Sequence, residues 1–160
     1  MLKITPFLWF DDDAEAATAF YVSLFPNSRI NSVSRYAADA GPNRAGQVMT
    51  VSFDLDGLPV TALNGGPTYK PSEAVSFSVT CEDQAEVDRY WDALTANGGQ
   101  EGPCAWLKDR WGFSWQIVPK ALPALLSDSD RAKAARVMQA MLQMRKIEVA
   151  KLEQAAAAVA

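Results

Sequence analysis

Apolar and polar positions along the chain fall into two similar series, each a strand pattern, a helix pattern and then further strand patterns. Residues 4–10 are apolar and aromatic and predict a strand. Asp11-Asp12-Asp13 follows as an acidic helix cap, and Ala17, Phe20, Tyr21 and Leu24 recur at helical spacing over residues 14–25. Pro26-Asn27-Ser28 ends that helix. Residues 30–36 predict a short strand and Ala40-Gly41-Pro42-Asn43 a loop. Residues 47–55 alternate, with Met49, Val51, Phe53 and Leu55 on one face and Val48, Thr50, Ser52 and Asp54 on the other. Asp56-Gly57 is a hairpin turn, residues 58–63 return as a strand, and Asn64-Gly65-Gly66-Pro67 closes the unit.

The order begins again at Ala74. Val75, Phe77 and Val79 alternate with Ser76, Ser78 and Thr80, Glu82-Asp83 opens a helix over residues 84–95, and Asn97-Gly98-Gly99 ends it. Residues 105–108 and 114–119 predict two strands joined by Asp109-Arg110-Trp111-Gly112. A shift of 70 positions lays Phe7 on Phe77, Asp13 on Asp83, Phe20 on Tyr90, Tyr21 on Trp91 and Leu24 on Leu94, as an internal duplication would. From Leu122 the pattern is helical, capped by Ser127-Asp128-Ser129-Asp130, with Ala134, Val137, Met138, Met141 and Leu142 on one side. A break near Lys146 and a frayed alanine-rich end are expected. Met138, Met141 and Met144 read as packing against the chain's own domain or a second copy, with an open partner groove as the alternative. The expected divisions are 1–66, 67–120 and a helical extension at 121–160, all within a single domain.

Composition narrows the chemistry. The 160 residues are 49% hydrophobic, with 7 Phe, 5 Trp and 4 Tyr, enough for a substantial core. Fifteen basic and 19 acidic residues give a net charge of −4 without a basic patch, which argues against nucleic-acid or anionic-membrane partners. The absence of histidine removes every His-based triad, general base and metal site. The acidic residues by position 11 leave no room for a signal peptide's apolar region, and no stretch approaches the roughly 18 apolar residues of a membrane span. A cytoplasmic protein with Cys81 and Cys104 as reduced thiols is therefore expected.

The repeated unit of one strand, one helix and three strands, with Phe20-Tyr21 in the first helix and the run Asp109-Arg110-Trp111-Gly112-Phe113-Ser114-Trp115-Gln116-Ile117, resembles the vicinal oxygen chelate superfamily. Residues 4–10 (Ile-Thr-Pro-Phe-Leu-Trp-Phe), 61–67 (Thr-Ala-Leu-Asn-Gly-Gly-Pro), 114–119 (Ser-Trp-Gln-Ile-Val-Pro) and 136–141 (Arg-Val-Met-Gln-Ala-Met) resemble its PhnB-like branch, often labelled 3-demethylubiquinone-9 3-methyltransferase. The resemblance implies an α+β fold of two paired βαβββ modules forming a curved mixed-sheet cup, plus C-terminal helices, and a homodimer. The methyltransferase label has no support in the residues, since no glycine-rich turn suited to S-adenosylmethionine follows a strand.

Metal-using members place ligands on the first and last strands of each module. Carried over by counting from the pre-helix Asp and the turn Gly, those positions are Pro6, Thr61, Ser76 and Gln116. One proline and three neutral oxygen donors make a poor transition-metal site, so no metal and no cofactor are expected. Strand parity adds Leu8, Phe10, Thr50, Ser52, Leu63, Ser78, Thr80, Ser114 and Val118 to the cup, and leaves Phe7, Trp9, Met49, Val51, Phe53, Phe77, Val79, Trp115 and Ile117 for packing under the helices. A solvent-facing sheet would show the same Ser/Thr pattern. Hydroxyls and one amide can orient a ligand, but none is a strong base. The expected function is metal-independent binding or sequestration of a small polar or aromatic molecule between the modules. A glyoxalase-like lyase or isomerase is the alternative, an interaction protein with a vestigial cup a further one, and turnover is left open.

Other candidate sites have plainer explanations. Asp11-Asp12-Asp13 reads as a helix cap before a cation site. Asp54-Leu55-Asp56-Gly57 lacks the distal acid of a calcium loop, since the twelfth position is Gly65. Asn64-Gly65-Gly66-Pro67 reads as a turn, with amide capture of an anion as the alternative. Cys104, beside Trp106 and Lys108 of the expected strand before Asp109, reads as a structural thiol before an activated one.

Overall fold

The structure, a computed structural model, describes residues 3–41 and 43–158; Met1 and Leu2, Pro42 of the expected loop and the last two residues of the alanine-rich end lie outside them. The chain divides into two compact units, Met1–Pro71 and Ser72–Ala160.

In the first unit, β1 (Phe7–Phe10) leads into α1 (Ala14–Leu24), followed by β2 (Arg29–Arg35), β3 (Val48–Leu55) and β4 (Leu58–Asn64). The sheet order is β1-β4-β3-β2, with β1 parallel to β4 and the other neighbours antiparallel. Asp56 and Gly57 turn the β3–β4 hairpin with φ of 46° and 78°, the positive values that a two-residue turn matched to strand twist requires. Val51, Phe53, Val60 and Ala62 are fully buried, as are Ala17 and Tyr21 of α1. Burial of a large apolar side chain stabilises by roughly 1.5–3 kcal/mol, so this layer fixes which sheet face turns inward.

The second unit repeats the order. It contains β5 (Ser76–Cys81), α2 (Gln84–Thr95), β6 (Gln100–Glu101), β7 (Trp106–Lys108) and β8 (Ser114–Pro119) in a sheet ordered β5-β8-β7-β6. Again one pair is parallel, β5 with β8, and the rest antiparallel. The fold is thus α+β, two modules of one topology followed by C-terminal helices. Short β6 was absent from the sequence pattern because two polar residues carry no periodicity. Asp83 caps α2 by accepting from the Glu86 N–H at 2.9 Å, while the Glu86 carboxylate accepts from the Glu82 N–H at 2.8 Å. The triple aspartate before α1 does otherwise: Asp13 makes no side-chain cap, and the Ala14 N–H goes to Asn64 Oδ1 at 2.8 Å. Cys81 is buried, and burial pushes its thiol up to about 12. Iodoacetamide at pH 8 should therefore modify Cys81 only in denaturant; native-state labelling located there by peptide mass spectrometry would contradict this packing.

The tail forms α3 (Ala121–Leu126), α4 (Arg131–Leu142) and α5 (Val149–Ala157). Asp130 caps α4 through the Ala132 and Lys133 N–H groups, and the expected break lies between α4 and α5. Leu122, Val137, Met144, Ile147 and Leu152 form a buried cluster with Ala105. The apolar stripe is narrower than its spacing implied: Met138 and Leu142 are exposed, and Ala134, Val137 and Met144 carry the packing. Among the described residues no helix is long and apolar enough to cross a membrane.

Candidate functional site

The second module builds the more complete polar face. Register pairs Ser76 with Ser114, Ser78 with Gln116, Trp106 with Gln116 and Lys108 with Ser114, so these six side chains share one sheet face. Phe77, Trp115, Ile117 and Leu107 take the other face, and Trp115, Ile117 and Leu107 are buried with Val87, Trp91 and Leu94 of α2. The parity expected for this module therefore holds. Gln116 Nε2 donates to Ser76 Oγ at 2.9 Å, joining the two positions that the counting singled out on β5 and β8.

Ser114, across the ladder from Ser76, also lines a cavity of about 500 Å³ with Trp106, Lys108, Pro103 and Glu73, a lining that does not include Ser76 or Gln116. The sequence reading missed Trp106, Lys108 and Glu73. The first two were legible in principle, because a hairpin register that pairs Lys108 with Ser114 also brings Trp106 to the same face. Lys108 Nζ forms an ion pair with Glu73, and that hydrogen bond holds the Glu73 carboxyl below its ordinary range. Ser114 is 2% exposed, and its hydroxyl makes no hydrogen bond to any described residue.

The turn before β8 positions this face. The Asp109 carboxylate accepts from the Trp111 and Phe113 N–H groups, both at 3.0 Å, and from the Trp115 indole at 2.9 Å. Gly112, with φ of 89°, completes the turn. Cys104 does not join the site. It sits with Ala105 in left-handed backbone before β7, its N–H donating to Met144 O at 2.8 Å and its thiol to Met141 O at 3.8 Å. Cys104 docks the tail.

In the first module one expectation is corrected. Phe7 pairs with Thr61 and Trp9 with Leu63, so Phe7 and Trp9 share the face of Thr50, Ser52, Thr61 and Leu63. Leu8 and Phe10 pair with Ala62 and Asn64 and are buried on the opposite face, the one that also carries Val51. Three residues separate β1 from α1 but two separate β5 from α2, and this extra residue inverts the parity that a uniform shift of 70 assumes. Pro6 precedes β1, its carbonyl accepting the Thr61 N–H at 3.0 Å. Ser34 and Thr50 hydroxyls bond each other at 2.6 Å. In the Asn64-Gly65-Gly66-Pro67 turn both glycine amides are engaged within the chain: Gly65 N–H donates to Phe10 O and Gly66 N–H to Asp11 O. Trp9 lies so close that a Cβ on Gly65 would meet its ring at 2.2 Å.

Among the described residues no three His, Cys, Asp or Glu side chains converge as metal ligands would. The chain matches the family model described as 3-demethylubiquinone-9 3-methyltransferase over residues 2–118. Among solved structures it is similar to a PhnB protein from Bacillus cereus, at 35% identity and TM-score 0.65, covering 74% of this chain and 99% of that one. A Pseudomonas aeruginosa protein (19% identity, TM-score 0.62, 74% and 98% covered) and the fosfomycin resistance protein FosX of Listeria monocytogenes (17%, 0.58, 80% and 100%) share the fold. FosX has also been crystallised with manganese(II) and sulfate, a form that aligns at TM-score 0.52 and 18% identity, covering 72% of this chain and 90% of that one. No curated protein matches the chain.

Proposed function

Because this chain belongs to the 3-demethylubiquinone-9 3-methyltransferase (PhnB-type) family of the vicinal oxygen chelate superfamily, we propose that it binds a small polar or aromatic molecule without a metal, on the hydroxyl- and amide-bearing sheet face of its second module. The observation that carries this reading is the 2.9 Å Gln116–Ser76 hydrogen bond. An amide and a hydroxyl that satisfy each other have no charge with which to hold a divalent ion. They do keep one further amide donor and free oxygen lone pairs for a ligand. Pro6 and Thr61, the positions that the counting gave in the first module, add no carboxylate or imidazole. The residues present therefore do not fit a transition metal of the kind FosX binds.

The methyltransferase wording of the family's description is not the reading drawn. Both strand-to-helix connections, Asp11-Asp12-Asp13 and Glu82-Asp83, are acidic and free of glycine, unlike the glycine-rich turn that cradles S-adenosylmethionine. A glyoxalase-like lyase or isomerase would need a group that exchanges a proton near neutral pH. The face offers hydroxyls and an amide, together with a lysine already paired to Glu73.

A thermal-shift panel of small polar and aromatic molecules tests the proposal, run with chelator and again with manganese(II). A ligand at 100 times its Kd stabilises by about 2.7 kcal/mol. At least one compound should stabilise equally in chelator, and Gln116→Ala should weaken it by about tenfold through the lost amide. Stabilisation that appears only with manganese(II) would overturn the reading.

A further inference from the structure

We infer that the molecule bound by this face is a small planar carboxylate, that Lys108 is its counter-charge, and that Glu73 occupies the carboxylate's place on Lys108 until the ligand displaces it. The inference rests on the binding reading above and narrows its ligand class.

Three observations converge on one cavity. Ser114 lines it, and the hydroxyl of this almost wholly buried residue has no hydrogen-bond partner among the described residues. A buried polar group in that state is costly, and it is commonly explained by something that binds there. Lys108 stands directly across the β7–β8 ladder from Ser114, on the same face, at the roughly 5 Å spacing of cross-strand neighbours. A carboxylate held on the Lys108 ammonium would lie beside Ser114, whose hydroxyl reaches it by a change of side-chain rotamer. Trp106, two residues before Lys108 on the same face, and Pro103 supply a flat apolar wall for a planar body.

The two members of the ion pair differ in how firmly they are held. Lys108 is on a strand and its side chain is 34% exposed, whereas Glu73 lies in the turn ahead of β5 and its side chain is 62% exposed. So exposed a carboxylate on a turn is the partner that leaves when another competes. A ligand cation would instead have to displace the strand-held lysine. The cavity's other acid, Glu101, pairs with Leu107 in the ladder and accepts from the Trp91 indole at 3.0 Å, so its charge is already engaged away from Ser114.

The test uses the full chain and two probes of one shape, benzoate and neutral benzamide, titrated while the indole resonances are followed by NMR. Benzoate should bind about tenfold more tightly than benzamide, and Lys108→Gln should erase that preference. Glu73→Gln should tighten benzoate several-fold by removing the internal competitor. Ser114→Ala should weaken benzoate without lowering Tm, since it deletes an unpartnered buried hydroxyl. Equal binding of the two probes, unchanged in Glu73→Gln, would overturn this inference while leaving small-molecule binding at the face intact. No binding of either probe would overturn it as well, and the chelator panel would then judge the broader reading separately.

Discussion

Asp109→Ala should lower the stability of the second module by about 3 kcal/mol, among the largest effects expected of any single change near the site. Asp109 is 3% exposed, and its carboxylate accepts from the Trp111 and Phe113 N–H groups and the Trp115 indole. Alanine would leave these donors without their acceptor while keeping them in place. For a chain of this length, 1 kcal/mol corresponds to about 2–4 °C, so Tm should fall by about 6–12 °C. Asp109→Asn should cost less, because its carbonyl oxygen can still accept from the two backbone groups while its NH2 opposes the indole. Calorimetry on both variants checks the ordering. A loss below about 1 kcal/mol for the alanine variant would mean that the turn before β8 does not depend on this carboxylate.

Ile147→Ala should be comparably damaging, by about 2–5 kcal/mol, because Ile147 is fully buried in the cluster that joins α4 and α5 to the second module. Its backbone is tied to α2 as well: Gln84 Nε2 donates to Ile147 O at 3.0 Å, and Val149 N–H donates to Gln84 Oε1 at 2.8 Å. Removing the side chain leaves a cavity that this pinned segment cannot easily close. Urea denaturation should show the loss in midpoint, and limited proteolysis should open the chain between α4 and α5 first. A variant with wild-type midpoint and cleavage pattern would show that the tail is held by its polar tether rather than by its core.

Much of the fold was legible because period-2 and period-3.6 patterns follow directly from which faces are buried. Residues 48–55 and 76–81 alternate cleanly, and α2 runs over the expected Gln84–Thr95. The β1 error has a definite cause. Residues 4–10 are apolar at nearly every position, so their parity rests on counting back from the pre-helix Asp13, and one extra residue before α1 inverts it. The opposite case is β5, where Ser76 and Ser78 against Phe77 and Val79 leave no ambiguity.

The polar face was legible only as far as strand alternation reaches. Ser76, Ser78, Ser114 and Gln116 could be grouped from sequence because each strand reports its own parity. Lys108 and Trp106 needed the hairpin register, and Glu73 needed the path of an irregular turn, which carries no period at all. Asp109 read as a turn residue. Donors to its carboxylate come from residues two, four and six positions on, and only the folded turn makes them converge.

Equilibrium dialysis of the purified protein against manganese(II), followed by elemental analysis, tests most directly the claim that the second-module face works without a metal. With Ser76 and Gln116 bonded to each other and no acid among the transferred positions, manganese should remain far below one ion per chain, and Ser76→Ala or Gln116→Ala should not change it. About one ion per chain, lost in either variant, would contradict the account.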